Sequence, residues 1–237
     1  MSGPKTDAPI MDAATRRAQT LGAVRRALGR GELSGDARAS AESRLAAPQT
    51  PRVTPARAKL PQDGKVALFR QWAEAVMATV AQTDANGVAA EVADYLARNN
   101  LPSEAAMAPD PALDRYDWAS RPLLKLRKGK PDPRDKVAVT GAFAGLAETG
   151  TLVMTSGPDH PTSLNLLPDT HVVILREADV VGGYEDLWAR LRGRYGKDAM
   201  PRTVNTITGP SRTGDIEQQL ELGAHGPRRM HIVLVSD

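Results

Sequence analysis

Gly209-Pro210-Ser211-Arg212-Thr213 sets two hydroxyls and a guanidinium within five residues. Gly209 permits a close backbone approach or a positive φ, and Pro210 stiffens the turn. Ser211 and Thr213 offer hydroxyls and N–H groups. Arg212 offers a planar fork of five donors. Asp215-Ile216-Glu217 reads as the start of a helical turn, and a helix amino terminus beside an arginine can hold a carboxylate or phosphate. The plain alternative is that Arg212 pairs with Asp215, Glu217 or Glu148 and knits loops together.

Two other loops carry comparable chemistry. Glu148-Thr149-Gly150 leads into an apolar run, and Ser156-Gly157 follows that run. Glu148 is the best single acid or base, because Ala144-Gly145-Leu146-Ala147 supplies an apolar setting that would raise its pKa. Its structural alternative is a cap or an inter-loop acceptor. His225, in Gly223-Ala224-His225-Gly226-Pro227, is a second catalytic candidate, although a lone histidine of this kind is more often structural than catalytic. The expected ligand-binding set is therefore Thr149, Gly150, Ser156, Gly157, Gly209, Ser211, Arg212 and Thr213. Ligands in open α/β sheets bind beyond the carboxyl ends of the strands. Ser211 and Arg212 are accordingly expected at that edge, near Glu148–Gly150 and Ser156–Gly157.

Other chemistries find no support. His160, His171 and His231 lack metal-ligand spacing, so no metal site is expected. There is no Walker loop, GxGxxG fingerprint or GxSxG elbow. The chain has no cysteine, so it cannot hold an iron–sulfur cluster on thiolates of its own.

These loops need a scaffold. Val137–Thr140, Thr151–Thr155, His171–Leu175, Thr203–Thr208 and Met230–Val235 are short apolar runs rich in Val, Ile, Leu and Thr. Tyr184–Tyr195 between two of them has helical spacing. Strands of this kind alternating with helices predict an α/β fold, a three-layer sandwich around a mostly parallel sheet. Asp63–Gln82 and Val88–Asn99 read as two leading helices. Ser103–Pro133 is expected to be irregular apart from one short strand near Ala105–Ala108.

The amino-terminal part differs. Asp12–Leu28 reads as a short basic amphipathic helix, and Ala46–Pro61 carries four prolines and reads as a linker. The division is thus a helix and linker over residues 1–61 and an α/β domain over 62–237. Residues 1–61 hold 11 basic and 5 acidic side chains, a net of +6. The remainder holds 20 of the 31 basic and 23 of the 28 acidic residues, a net of −3. The high pI belongs to the arm, which argues against nucleic acid as a partner of the domain. No apolar run approaches the ~20 residues of a membrane span. The first residues also lack a secretory h-region, so a cytoplasmic location is expected.

AETGTLVMTSGPDHPTSLNLLPDTHVVIL and ITGPSRTGDIEQQLELGAHGPRRMHIVLV together resemble the lactate utilization protein C family, the LUD-domain family. The marks are E-T-G-T, T-S-G-P, L-L-P-D-T-H, G-P-S-R-T-x-D-I-E and G-x-H-G-P. Gly214 stands where alanine is expected, and Asn165 where serine is usual. The resemblance implies a fold like that of the NagB/RpiA/CoA-transferase group. It implies a subunit of a bacterial complex that oxidises L-lactate to pyruvate without NAD, acting with two iron–sulfur partner proteins. The clusters would sit in those partners, which suits a chain without cysteine. No catalytic residue is carried over. The alternative is a standalone enzyme or binder of a small carboxylate, phosphate or CoA-like anion.

Overall fold

The structure is a computed structural model that describes residues 11–47, 54–196, 199–216 and 219–236. The chain divides into two units, between residues 50 and 51. In the first, α1 (Ala13–Ala27) starts at Asp12, whose carboxylate accepts the Thr15 N–H at 2.9 Å. A second helix, α2 (Gly35–Ala46), carries an Arg38–Glu42 pair one turn apart. Neither helix buries a residue. The α2 helix was not expected, because its small polar residues (GDARASAESRLA) show no apolar face.

The second unit begins with α3 (Gln62–Ala75), β1 (Thr79–Thr83), α4 (Val88–Arg98), β2 (Glu104–Met107), β3 (Lys125–Lys128) and β4 (Val137–Gly141). It continues with β5 (Ala144–Leu146), β6 (Thr151–Thr155), β7 (Thr170–Arg176), β8 (Val180–Val181) and α5 (Tyr184–Tyr195). β9 (Val204–Ile207), β10 (Arg212–Ile216), β11 (Gln219–Leu222) and β12 (Arg229–Val235) complete it. Six strands form one sheet in the order β1-β12-β7-β4-β2-β3, and every pairing is parallel. β10 and β11 pair as an antiparallel ribbon.

Parallel strands must be covered on both faces, and they are. On one face α4 packs Val88, Val92 and Leu96 against Val172, Ile174 and Val233. On the other, Phe69 and Ala73 of α3 meet Val173, Leu175, Ile232 and Leu234. The α/β sandwich is therefore as expected, with two differences in its parts.

The first concerns the strands. Thr151–Thr155 and Thr203–Thr208 do not join the parallel sheet. β6 and β9 pair antiparallel in a second sheet, ordered β8-β5-β6-β9. Leu152 and Met154 of β6 face the main core, while Val153 faces Leu187 and Leu191 of α5. A strand buried on both faces is apolar throughout whichever sheet it belongs to.

The second concerns the first helix, expected to reach Gln82. It stops at Ala75, Met77 takes a left-handed φ of 73°, and Thr79–Thr83 becomes an edge strand beside His231–Val235. β3 likewise lies in a segment expected to be irregular. Its Lys125, Arg127 and Lys128 charge the other edge of the sheet and block further strand addition.

Candidate functional site

β2 and β4 end side by side, and a cleft of about 510 Å³ opens beyond them. Asp110 enters it from the β2 side. Its Oδ1 accepts the Ala112 N–H at 2.8 Å and caps a short 3-10 turn, which fixes the carboxylate. Gly141, at the end of β4, leaves room for it: a Cβ there would lie 3.1 Å from Asp110 Oδ2. His160 comes from the loop after β6, where Gly157 and His160 bond each other's backbone (3.3 and 3.1 Å). His160 Nε2 stands 3.7 Å from Asp110 Oδ2. The imidazole and the carboxylate thus face each other across the cleft floor.

The second wall comes from α5. Tyr195 donates its hydroxyl to Thr155 Oγ1 at 2.9 Å. Arg190 is bonded to Asp179 and lies over the Phe143 ring, 5.3 Å from its centroid. Arg194, one turn on, is exposed and makes no ion pair with another described residue. Below, a narrow recess is lined by Thr140, Phe143, Thr155, His160 and Asn165. Thr140 Oγ1 is 2.8 Å from Nε2 of His171. His171 is fully buried, and desolvation pushes its pKa down to about 3, so it is neutral. Cations on the wall, an imidazole and amide or hydroxyl groups below are the equipment for binding a small polar anion.

The residues expected to form the site are divided by the fold. Ser156 lies at the cleft end of β6. Its N–H donates to the Thr203 carbonyl (2.9 Å) and its Oγ accepts the Thr203 N–H (2.8 Å), so it closes the β6–β9 ladder. Gly157 forms the turn under His160. Glu148, Thr149 and Gly150 lie at the other end of β6, roughly 15 Å away at about 3.3 Å per residue. There Thr149, Thr151 and Thr208 form a chain of hydroxyls with steps of 2.8 Å. Gly209 (φ 72°) packs on Val76: a Cβ there would lie 3.0 Å from Val76 Cγ2 and closer still to its carbonyl oxygen. The Glu148 N–H donates to the Gly182 carbonyl at 3.2 Å. Its Oε2 is buried beside Gly183 without a hydrogen bond to a described residue.

Ser211 and Arg212 correct the expected placement. The Ser211 N–H donates to the Pro227 carbonyl at 2.8 Å, two residues before β12 begins. That is the amino edge of the parallel sheet, not its carboxyl edge. Ser211 Oγ accepts the His225 N–H at 3.3 Å, so hydroxyl and histidine meet through the backbone. The His225 side chain and Arg212 are exposed. Residues 212–216 form β10 rather than a helical turn, which removes the expected helix-terminus anion site. Thr213 belongs to β10; its side chain, that of Asp215, and Glu217 lie outside the described residues.

The hydroxyl chain gives a direct test. Thr151 is buried and bridges the other two hydroxyls. Thr151→Val keeps the strand-forming shape and removes the bridge. A loss of about 1–2 kcal/mol is expected in urea denaturation, since two partly buried hydroxyls are left with one partner fewer.

Residues 134–235 match the family model of the LUD domain. Over these residues the chain is similar to the LUD-domain family. It is 36% identical over 102 residues to lactate utilization protein C of Bacillus subtilis (strain 168), a stretch covering 43% of this chain and 42% of that one. It is 28% identical over 191 residues to the protein YkgG of Escherichia coli (strain K12), covering 76% of this chain and 83% of that one. Among the first relatives the match spans only about two fifths of their length. A crystal structure of a DUF162 family protein from Deinococcus radiodurans superposes with a TM-score of 0.55 at 19% identity. It covers 74% of this chain and 99% of that one, a likeness of fold.

The LUD-domain match contains most of the cleft, but not Asp110. Sequence reading passed over Asp110, Asn165, Arg190, Arg194 and Tyr195, and it weighed His160 only as a metal ligand. The available signal was local. His160 sits between the T-S-G-P loop and Pro161, where a turn must project it. The two arginines share the exposed side of a helix whose buried side is Leu187 and Leu191.

Proposed function

We propose that this chain is a subunit of a bacterial L-lactate-oxidising complex that converts L-lactate to pyruvate with iron–sulfur partner proteins. Its own part is to bind a ligand or to dock those partners, in the cytoplasm. The similarity of the LUD domain to proteins named lactate utilization protein C carries this reading. The composition supports the division of labour, because a chain without cysteine leaves cluster chemistry to its partners. Among the described residues no helix is long and apolar enough to cross a membrane.

A clean deletion of the gene is expected to abolish growth on L-lactate while leaving growth on pyruvate intact, with rescue by the wild-type gene. Iron–sulfur proteins should co-purify with the tagged chain from lactate-grown cells. Normal growth of the deletion strain on L-lactate would remove the reading. The carboxyl-edge cleft favours a second one, a standalone binder of a small carboxylate, phosphate or CoA-like anion. The anion contacts then come from α5 and the loop after β6, not from Glu148 and Arg212.

A further inference from the structure

We propose that the β1 edge of the six-stranded sheet is an interface for a second copy of this chain, the two β1 strands pairing antiparallel about a twofold axis.

The two edges of that sheet differ in chemistry. β3 carries Lys125, Arg127 and Lys128, which keep a further strand away. β1 reads Thr-Val-Ala-Gln-Thr from Thr79 to Thr83, with neither charge nor proline. Its inner side is satisfied by β12, and the Ser236 N–H donates to the Thr83 carbonyl at 2.9 Å. Backbone groups point alternately to either side along a strand. Thr79, Ala81 and Thr83 therefore serve β12, while Val80 and Gln82 turn their N–H and C=O groups outward. No described residue bonds those four outward groups. An uncharged edge of this kind is a template for another strand.

The strand is complementary to itself, as an isologous contact requires. With the axis at Ala81, Val80 of one copy stands opposite Gln82 of the other. Both members of that pair face outward, so they exchange two backbone hydrogen bonds, and the axis repeats the pair. An axis at Val80 or at Gln82 would leave a single bonded pair within the strand. The side chains brought together are Ala81 with Ala81, Val80 with Gln82 and Thr79 with Thr83. No like charges meet, and the threonines and Val80 suit cross-strand packing. Met77, exposed just before β1, is carried by the same symmetry to the carboxyl end of the second copy's β1. The two sheets then join as one of twelve strands.

The chain has no cysteine, so single introduced thiols report the pairing directly. Under mild oxidation Ala81→Cys should give a disulfide-linked dimer. The two Cα atoms on the axis would be about 4.5 Å apart, within disulfide reach. Thr83→Cys should not cross-link, because its counterpart lies four positions along the strand, roughly 13 Å away. Sedimentation equilibrium of the unmodified full chain should show a reversible species of twice the 25.3 kDa mass. Gln82→Pro removes an outward donor and spares the bonds to β12, so it should weaken association at least about tenfold. Arg127→Ala, on the opposite edge, should leave association unchanged. Each variant is first shown to melt cooperatively. A chain that stays monomeric up to its solubility limit overturns the proposal, even if a strand of another protein takes the edge. So does a dimer that Gln82→Pro leaves intact, or Thr83→Cys cross-linking as readily as Ala81→Cys.

Discussion

Gly150→Ala should destabilise the domain by at least about 3 kcal/mol, a drop on the order of 10 °C in Tm. Gly150 has φ 64°, where an L side chain is strained. A Cβ there would fall on the Ala73 backbone nitrogen, 2.6 Å from the Trp72 carbonyl carbon and 2.9 Å from Ala73 Cα. All three atoms belong to the last turn of α3 and cannot swing aside as a side chain would. The helix would have to retreat from β6 and carry Phe69 and Ala73 out of the core they share with Leu152 and Met154. Gly193→Ala is the control. It lies inside α5 with no atom within 4 Å of a new Cβ, so a gain of up to about 1 kcal/mol is expected. Thermal and urea denaturation of the two variants measure both. A Gly150→Ala protein within about 1 kcal/mol of wild type would show that the E-T-G-T glycine is not a packing device.

Acid should unfold this domain early, through two buried imidazoles. Burial pushes His171 down to about 3 and His231 down to about 4. His231 stacks on Tyr95 at 3.9 Å, and its Nδ1 is 2.9 Å from Thr79 Oγ1. Glu91 Oε1 stands 3.4 Å from its Nε2, but that carboxylate is already bound by Arg98 at 2.7 Å. In the unfolded chain both rings titrate near 6.5. Between the folded and unfolded values the unfolded state holds more protons, so stability is fully present above about pH 6.5 and is lost as pH falls. Each ring contributes a slope of about 1.4 kcal/mol per pH unit. Both act down to about pH 4, and His171 alone continues below it. The urea midpoint should therefore fall steeply from pH 6.5 to 5, before most carboxylates titrate. His231→Phe keeps a ring on Tyr95 and should roughly halve that slope. A midpoint flat across the window would mean that the two rings are not held neutral.

Several parts of this molecule were readable directly. β6 and α5 fall on the expected residues, and α4 ends within one residue of its expected end. Each has an unbroken apolar run or a clear 3.6-residue period. The overlong first helix shows where periodicity fails. Val76, Met77 and Val80 continue the apolar spacing, yet the left-handed turn at Met77 and the pairing of Thr79–Thr83 with β12 override it. That pairing joins residues about 150 positions apart, which no local window registers.

The site was harder to read for a related reason. Single residues in loops, such as His160 and Asn165, have no period to betray them. Their meaning depends on which loop lies opposite.

The amino-acid sequence by itself determined the α/β class, the likeness to the LUD-domain family, the charge division between arm and domain, and the absence of any thiolate for cluster chemistry. Each follows from composition, local pattern or motif, which survive without the fold. Only the tertiary structure decided that β6 and β9 form a second sheet, that Ser211 and Arg212 lie at the amino edge, and that the cleft is built by Asp110, His160, Asn165 and Arg194. The reason is strand direction. The extended length of β6 alone keeps Glu148–Gly150 and Ser156–Gly157 at opposite ends, and its antiparallel pairing with β9 (Leu152 with Ile207, Thr155 with Val204), which decides what lies beside each end, joins residues about fifty positions apart.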